Sequence, residues 1–335
     1  MTKAIIAALV LFSSCTNSPQ ESSEEKTSQQ KTIGSIERLD PALDSLITTG
    51  ASIEILAEGH EWTEGPLWVE DQQMLLYSDI PRNSIYKWTE SGGAEVYLQT
   101  SGYTGSEARG GEPGCNGLAL NSKKQLVLCQ HGDRRIALMN APLNDPKPDF
   151  TSLADSYDGK KFNSPNDLAI RSDGVIFFTD PPYGLEKNMD DPKKEMSFQG
   201  VYKIGLDGTV HLLIDSITRP NGIAFTPDEK SLIIANSDGE KPRWYVYDIG
   251  TNDALTNGRL LGGPSDEKGG ADGLKIDRKG NVFATGPGGV WVFNSAGKLL
   301  GKIKVPVPTS NCAFSPDEKT LYITADMYLL RVKMR

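Results

Sequence analysis

Two short apolar segments joined by a polar turn recur six times along the chain, and this repeat restricts the fold more than any other feature. Consecutive copies begin 39 to 55 residues apart, and further strand-like segments lie between them. A repeat of about 40 to 50 residues with four short strands per unit is typical of β-propeller blades. We therefore expect an all-β, six-bladed β-propeller rather than a β-sandwich, which would not predict six spaced copies. The copies begin at Leu67, Leu118, Leu168, Ile223, Leu274 and Ala313.

The sixth unit is short by one strand, because it ends with its third strand-like segment at residues 328–333. A separate apolar segment, residues 52–57, precedes the first unit. Pairing this segment with the sixth unit would close the ring with strands from both ends and remove an exposed sheet edge. We expect the N-terminal strand to complete the last blade, within a propeller domain of residues 46–335.

The first 15 residues have the pattern of an export signal. Lys3 precedes an apolar run from Ala4 to Phe12, which is too short to span a bilayer as a helix. The segment Leu11–Cys15 resembles a bacterial lipobox, so we expect a lipoprotein signal peptide at residues 1–15 with lipidation at Cys15. An ordinary signal peptide with a chance cysteine is the alternative. The expected location is the bacterial cell envelope, periplasmic or attached to the outer membrane, with the lipid anchor as the sole membrane contact.

Residues 16–45 are rich in Ser, Gln, Glu, Thr and Lys. Within them, residues 16–30 contain no aromatic and no branched aliphatic side chain. Such a segment cannot bury enough apolar surface to offset the entropy lost on ordering. We expect residues 16–45 to form a disordered tether between the anchor and the domain.

The charge and the metal-binding residue types exclude two classes of protein. The formal net charge is −9, and no basic stripe is present to neutralise phosphates, so we expect no nucleic-acid partner. Histidine is scarce, with three residues, and the four cysteines lack zinc-like spacing, which disfavours a Cys/His metal site. We expect a monomer whose partner is a small molecule.

Each copy of the repeat is preceded, two or three residues earlier, by a carboxylate or amide side chain. Because the first strand of every propeller blade lines the central channel, these side chains are expected to converge at one mouth of it. Carboxylate and amide oxygens are ligands that Ca²⁺, Mg²⁺ and Mn²⁺ prefer. Asn-Gly and Asp-Gly pairs also form turns, but turns do not explain six equivalent positions that include a glutamate. The six residues are Glu64, Asn116, Asn166, Asn221, Asp272 and Asn311.

Eight short motifs surround these positions: Glu64–Trp68, Asn116–Ala119, His131–Arg135, Ser164–Leu168, Phe178–Gly184, Arg219–Ile223, Ala271–Leu274 and Gly286–Val290. In this order they resemble the SMP-30/gluconolactonase/LRE-like family over roughly residues 50–330. The resemblance implies a six-bladed propeller with one central divalent cation, usually Ca²⁺, with Mg²⁺, Mn²⁺ or Zn²⁺ as alternatives. It implies cation ligands at Glu64, Asn166, Asn221 and Asp272, and in some members the position of Asn166 contacts substrate. Animal members carry an arginine where this chain has Ser164, so the substrate contacts are expected to differ.

The resemblance and the axial residues together predict a metal-dependent hydrolase of a sugar lactone. The cation would polarise the lactone carbonyl or activate water. Asp272 is the predicted general base, and His131, which follows the second strand of its blade, is the alternative base. Asn116, Asn166 and Tyr183 are predicted to contact the substrate. Two alternatives stay open: a related esterase or organophosphate hydrolase, and a non-catalytic binding propeller stabilised by its metal.

Overall fold

Six antiparallel sheets stand in a ring in the computed structural model, which confirms the predicted six-bladed β-propeller. The structure describes residues 1–2, 4, 30–240, 242–262 and 267–335. Residues 31–335 form one compact unit, and the short segment 1–30 is a separate unit. The innermost strands of neighbouring blades contact one another around the whole ring.

The strands are numbered in chain order, and two of them, β1 (Ser35–Arg38) and β2 (Ile53–Ala57), precede the first blade. Blade 1 contains β3 (Thr63–Val69), β4 (Met74–Asp79), β5 (Ser84–Thr89) and β6 (Gly93–Gln99). Blade 2 contains β7 (Cys115–Leu120), β8 (Leu126–Gln130), β9 (Arg135–Met139) and β10 (Phe150–Ala154). A small hairpin, β11 (Ser156–Tyr157) and β12 (Lys160–Lys161), follows.

Blade 3 contains β13 (Leu168–Ile170), β14 (Ile176–Asp180), β15 (Gly200–Ile204) and β16 (Val210–Ile214). Blade 4 contains β17 (Pro220–Phe225), β18 (Ser231–Asn236), β19 (Arg243–Ile249) and β20 (Leu255–Leu260). Blade 5 contains β21 (Leu274–Ile276), β22 (Val282–Gly286), β23 (Gly289–Phe293) and β24 (Leu299–Lys304). Blade 6 contains β25 (Asn311–Phe314), β26 (Thr320–Ala325) and β27 (Tyr328–Lys333). Short 3-10 helices lie at Pro41–Ser45, Glu70–Gln72, Asn188–Asp190 and Thr251–Asp253.

The ring is closed as predicted, by a strand from the N-terminal part of the chain. Strand β2 pairs antiparallel with β27, with Ile53 opposite Val332 and Ile55 opposite Leu330. It thereby becomes the outermost strand of blade 6. The N-terminal and C-terminal parts of the chain are thus held in one sheet, and the ladder of blade 6 is completed.

The predicted boundary between tether and propeller is wrong, because residues 31–45 are folded onto the domain. Strand β1 pairs with β24 and adds a fifth strand to blade 5. The following 3-10 helix contains Leu43, which is fully buried, as is Ile47 just beyond it. A few apolar residues suffice here because β1 joins an existing sheet edge, which pairs its backbone groups. The rest of the predicted tether, Cys15 and nearly all of the predicted signal peptide lie outside the described residues.

The hydrophobic core lies between the faces of neighbouring blades. Between blades 2 and 3, for example, Val127 and Ile136 belong to the same buried cluster as Phe178 and Tyr202. Successive side chains of each strand point to opposite faces of the blade, so each blade packs against both of its neighbours. Among the described residues, no helix has the length and apolar character needed to cross a membrane.

Candidate functional site

Five of the six predicted axial side chains line a single cavity of ≈ 220 Å³ at the channel mouth. The sixth residue, Asn311, does not line it. Its Nδ2 donates to Oε2 of Glu64 at 3.3 Å, and its Oδ1 accepts from the backbone of Cys312 and from Nζ of Lys275. Asn311 therefore supports Glu64 from behind. The five that meet in the cavity are Glu64, Asn116, Asn166, Asn221 and Asp272.

Irregular pairing at the start of the innermost strands gives these residues room to turn towards the axis. The pairing of β3 with β4 shifts register after Glu64, and that of β7 with β8 shifts after Cys115. The pairing of β17 with β18 shifts after Pro220. A bulge re-aims side chains that a regular ladder would fix. The Asn-Gly pairs at 116 and 221 thus lie inside strands, and the alternative that they form turns is wrong.

The glycines that follow the axial residues allow the innermost strands to approach one another. Gly65 has φ +54°, and a Cβ there would lie 2.1 Å from the carbonyl oxygen of Asn116. A Cβ on Gly117 would lie 2.8 Å from the carbonyl oxygen of Asn166. A Cβ on Gly222 would likewise lie too close to the backbone of Asp272. Each glycine therefore lets the next axial residue reach the shared cavity, which is why these pairs recur in the repeat.

Polar side chains at the ends of the second strands hold the loops that carry the axial residues. In blade 3, the buried carboxylate of Asp180 accepts hydrogen bonds from the backbone N–H groups of Asn163 and Ser164 at 2.8 and 2.7 Å. Burial raises the pKa of Asp180 to about 7, and these two N–H groups oppose the rise. In blade 4, Oδ1 of Asn236 accepts from the backbone of Arg219 at 3.0 Å. The axial side chains are thus positioned by the fold before any ligand binds.

Of the two axial carboxylates, Glu64 is buried and Asp272 is partly buried. Burial raises the pKa of Glu64 to about 8, although a hydrogen bond from the Gly65 N–H opposes the rise. Burial and then the charge of Glu64 raise the pKa of Asp272 well above its ordinary value, and a hydrogen bond from Asn221 opposes it. Among the described residues, no Lys, Arg or His lines the cavity. Buried carboxylates of this kind are stabilised by a bound cation.

Three cavity oxygens have no hydrogen-bond partner in the described part of the chain: Oδ1 of Asn116, Oδ1 of Asn166 and Oδ1 of Asp272. Buried polar atoms are almost always paired in folded proteins, so three unpaired acceptors in one cavity indicate a ligand that supplies positive charge or donors. The donor set fits a hard divalent cation. In the described residues no group of three His, Cys, Asp or Glu side chains forms a metal cluster, since this set depends on amides as much as on carboxylates.

Tyr183 lies on the cavity wall, where a substrate-contacting residue was predicted. Its hydroxyl lies 2.6 Å from Oγ of Ser237, which in turn donates to the carbonyl of Arg219 at 3.2 Å. Tyr183 is therefore the donor to Ser237. Burial is the main cause that raises the pKa of Tyr183, so the phenol stays protonated. Its ring forms a fixed apolar surface beside the axial polar groups.

His131 does not line the cavity, and this differs from its predicted role as a base that meets the substrate. The side chain is fully buried, and Nδ1 lies 3.2 Å from Oε2 of Glu112, which does line the cavity. Neither ring nitrogen has a well-aligned hydrogen-bond partner among the described residues. His131 thus lies behind Glu112, and its contact with the cavity runs through that carboxylate.

Four further cavity residues were not predicted: Trp62, Glu112, Ser237 and Gly270. Trp62 precedes Glu64 by two positions, so the motif itself could have suggested it. Glu112 and Ser237 lie on loops that connect one strand to another, outside the segments that repeat. No repeat position marks such residues, and only the folded chain brings them to the axis.

Comparisons with known proteins agree with this architecture. A family model described as SMP-30/Gluconolactonase/LRE-like region matches residues 62–326. A gluconolactonase from Zymomonas mobilis is 36% identical over 98% of this chain and 94% of its own length. A pentonolactonase from Haloferax volcanii is 25% identical over 78% of this chain and 80% of its own length. The solved structure of a gluconolactonase from Xanthomonas campestris matches with a TM-score of 0.78 and 30% identity, covering 92% of this chain and 99% of that one.

Proposed function

The chain belongs to the SMP-30/gluconolactonase/LRE-like family, as its motifs predicted, and from this premise we propose that it is a metal-dependent hydrolase of sugar lactones. The proposal includes one divalent cation in the axial cavity. Ca²⁺ is the preferred ion, and Mg²⁺, Mn²⁺ and Zn²⁺ are the alternatives. The relatives described above, two gluconolactonases and a pentonolactonase, support a lactone as the substrate.

One observation carries the proposal: unpaired buried oxygens of Asn116, Asn166 and Asp272 share a small cavity with the buried carboxylate of Glu64. A propeller that served only as a scaffold would gain stability from apolar side chains here, because unpaired buried acceptors cost about 1–3 kcal/mol each. Their presence together favours a site that binds a cation and a polar substrate. The lactonase relatives are the reason to prefer an enzyme to a purely structural metal site.

Glu64, Asn166, Asn221 and Asp272 would hold the cation. When bound there, a divalent cation polarises a carbonyl and increases the acidity of nearby water. Ester hydrolysis adds a water oxygen to the carbonyl carbon, breaks the ring C–O bond and moves one proton from that water to the ring oxygen. Asp272 is the proposed acceptor and donor of this proton, since its Oδ1 has no partner in the described residues.

Asn116, Asn166 and Tyr183 are proposed to position the lactone. The Asn116 and Asn166 amides can donate to and accept from the substrate, since each presents an unpaired oxygen at the cavity. Tyr183 is held by Ser237 and offers its ring face. A lactone placed against these groups gains orientation without movement of the protein, which lowers the entropic cost of reaction.

A pH-stat assay with glucono-δ-lactone tests the function, with spontaneous hydrolysis subtracted. We expect turnover by the wild-type protein, loss of turnover with a chelator, and recovery on adding Ca²⁺. Asp272→Ala should retain the fold by circular dichroism and lose turnover. Turnover of an aryl ester or a fluorophosphate without any lactone would favour the esterase or organophosphate alternative. A protein that binds Ca²⁺ and hydrolyses none of these substrates would favour the binding propeller.

We also propose that the protein is an exported lipoprotein of the cell envelope, anchored through Cys15. The support is the sequence of residues 1–15 alone. Fractionation of producing cells tests it: the wild-type protein should partition with membranes, and Cys15→Ser should move it to the soluble fraction. Equal partitioning of the two proteins would rule out the anchor.

A further inference from the structure

We propose that Glu112 and His131 form a hydroxyl-binding subsite, which makes the enzyme selective for neutral, polyhydroxylated lactones over phosphorylated ones. In this subsite Glu112 contacts the substrate, and His131 is a positioning residue behind it. The inference rests on the proposed function, because it names which lactones the axial cavity accepts.

The loop that carries Glu112 is tied to the turn that carries His131. Arg109 donates to the carbonyl of Gly132 at 2.7 Å and also to the carbonyl of Gly184. Thr104 donates its N–H and its hydroxyl to Asp133 at 3.1 and 2.6 Å. The loop between blades 1 and 2 is therefore tied to the turn that follows β8 and to the segment that carries Gly184. A carboxylate on such a loop is pre-organised for binding.

The Glu112 side chain is 31% exposed and shares the cavity wall with the axial residues. One carboxylate oxygen, Oε2, lies 3.2 Å from Nδ1 of the fully buried His131. No other described residue donates a hydrogen bond to Glu112 or forms an ion pair with it. A carboxylate has about four lone-pair sites. Most of its accepting capacity is therefore free on the side that faces the cavity.

Hydroxyl groups are the natural donors for this free carboxylate. An O–H that donates to an ionised acceptor forms a stronger hydrogen bond than one between neutral groups. The cavity, at ≈ 220 Å³, is smaller than the usual range of about 300–1,000 Å³ for drug-sized ligands, so it suits one small ring. A sugar lactone brings several hydroxyls on such a ring, whereas a simple lactone brings none.

The negative charge of the cavity disfavours phosphorylated sugar lactones. Glu64, Glu112 and Asp272 are its acidic lining residues, and among the described residues that line it none is basic. One bound divalent cation would balance the charges of two of the three carboxylates. The negative charge of Glu112 would then stay unbalanced. A phosphate group in this cavity would be repelled by this charge and would find no arginine or lysine among the described lining residues; Lys268 of the adjoining pocket is paired with Glu240.

Steady-state kinetics on two lactones test the subsite. With glucono-δ-lactone, Glu112→Gln should raise KM by about tenfold to a hundredfold, because a charge-assisted hydrogen bond is lost. With δ-valerolactone, which has no hydroxyl, the same variant should match the wild-type protein. Glu107→Gln is the matched control, since Glu107 lies exposed on the same loop and away from the cavity. Glu107→Gln should leave the steady-state kinetics with both lactones unchanged. Equal effects of Glu112→Gln on both lactones, or no effect on either, would overturn the proposal.

His131→Gln separates positioning from folding. It should raise KM for glucono-δ-lactone less than Glu112→Gln does, with kcat and the turnover of δ-valerolactone unchanged. Loss of activity on both lactones would overturn the positioning role, because it would indicate that His131 is needed for the fold or for the reaction itself. With 6-phosphoglucono-δ-lactone, the wild-type kcat/KM should be lower than with glucono-δ-lactone, and Glu112→Gln should narrow the difference. A wild-type preference for the phosphorylated lactone would contradict the charge argument.

A binding measurement keeps this inference distinct from the proposed function. If the wild-type protein hydrolyses neither lactone, the proposed function fails, and calorimetric titration of the Ca²⁺-loaded protein with D-glucitol tests the subsite alone. Weaker binding of this inert polyol by Glu112→Gln, but not by Glu107→Gln, would support the subsite. Equal binding by all three proteins, or none by the wild-type protein, would refute it.

Discussion

The same residue types occupy the two ends of the innermost strands and meet opposite environments there. At the outer turns, Asp228 is exposed, and its Oδ1 accepts from Oγ1 of Thr226 at 2.8 Å and from the backbone of Lys230 at 3.2 Å. At the axis, Asp272 lines the cavity, and its Oδ1 has no partner among the described residues. Hydrogen bonding lowers the pKa of Asp228, whereas burial raises that of Asp272.

The difference shows which end of the blade is built for a ligand. The turn carboxylates accept hydrogen bonds from neighbouring residues of the same turn, so they stabilise the fold without a ligand. Three axial oxygens, by contrast, are buried and have no hydrogen-bond partner among the described residues, so the fold alone leaves them at a cost. Function is therefore indicated by the position in the repeat and its surroundings, since residue type is shared by both ends.

The largest contrast is expected for equivalent changes at the two ends. Asp272→Asn should lower kcat/KM for glucono-δ-lactone by at least about a hundredfold, because it removes a charge at the reacting groups. Asp228→Asn should leave kcat/KM unchanged. A pH-stat comparison of the two variants checks this, with thermal melts to show that both are folded. Similar activities in the two variants would remove the distinction between the ends.

A smaller contrast is expected between glycines. Gly117→Ala places a Cβ 2.8 Å from the carbonyl oxygen of Asn166 and should lower the free energy of unfolding by about 1–3 kcal/mol. Gly50→Ala is the control, because no atom lies within 4 Å of a Cβ there. Urea denaturation measures both. Equal stability of the two variants would mean that close approach at the axis does not require glycine.

The smallest contrast is in pH dependence, and it applies to the cation-free protein. The pKa of Glu64 is about 8 in the folded state, above its ordinary value of 4.5, so between these values the folded state binds the additional proton. The contribution of Glu64 to stability should therefore rise as pH falls from 8 towards 5, by at most about 1.4 kcal/mol per pH unit. Thermal melts in chelator check the wild-type protein against Glu64→Gln, which should show a smaller rise; the part due to Asp180 and Asp272 stays, because their pKa values are also raised by burial. A wild-type stability that falls over this range would contradict the assignment.

The repeating parts of the molecule could be predicted from the sequence, because each blade presents the same apolar pattern and the same axial position. The closing strand β2 was also predictable, since the sixth unit was short by one strand. The folded segment at residues 31–45 was not, because its few apolar residues, such as Ile36 and Leu43, become significant only when blade 5 offers an edge.

The site divides in the same way. Glu64, Asn116, Asn166, Asn221 and Asp272 converge because their repeat positions are equivalent. Asn311 shares that position, but its Nδ2 donates to Glu64 of the neighbouring blade and it does not line the cavity. Glu112 comes from a loop outside the segments that repeat, so no pattern along the chain could have placed it beside His131.

The most direct measurement of the central claim is a calorimetric Ca²⁺ titration of the chelator-treated protein. If the unpaired axial oxygens form a cation site, the wild-type protein should bind one Ca²⁺ per chain, and Glu64→Gln should bind it at least about tenfold more weakly. Asp228→Asn, at the satisfied end of the blade, should bind as the wild-type protein does. Absence of binding to the wild-type protein, or equal binding by Glu64→Gln, would contradict the account.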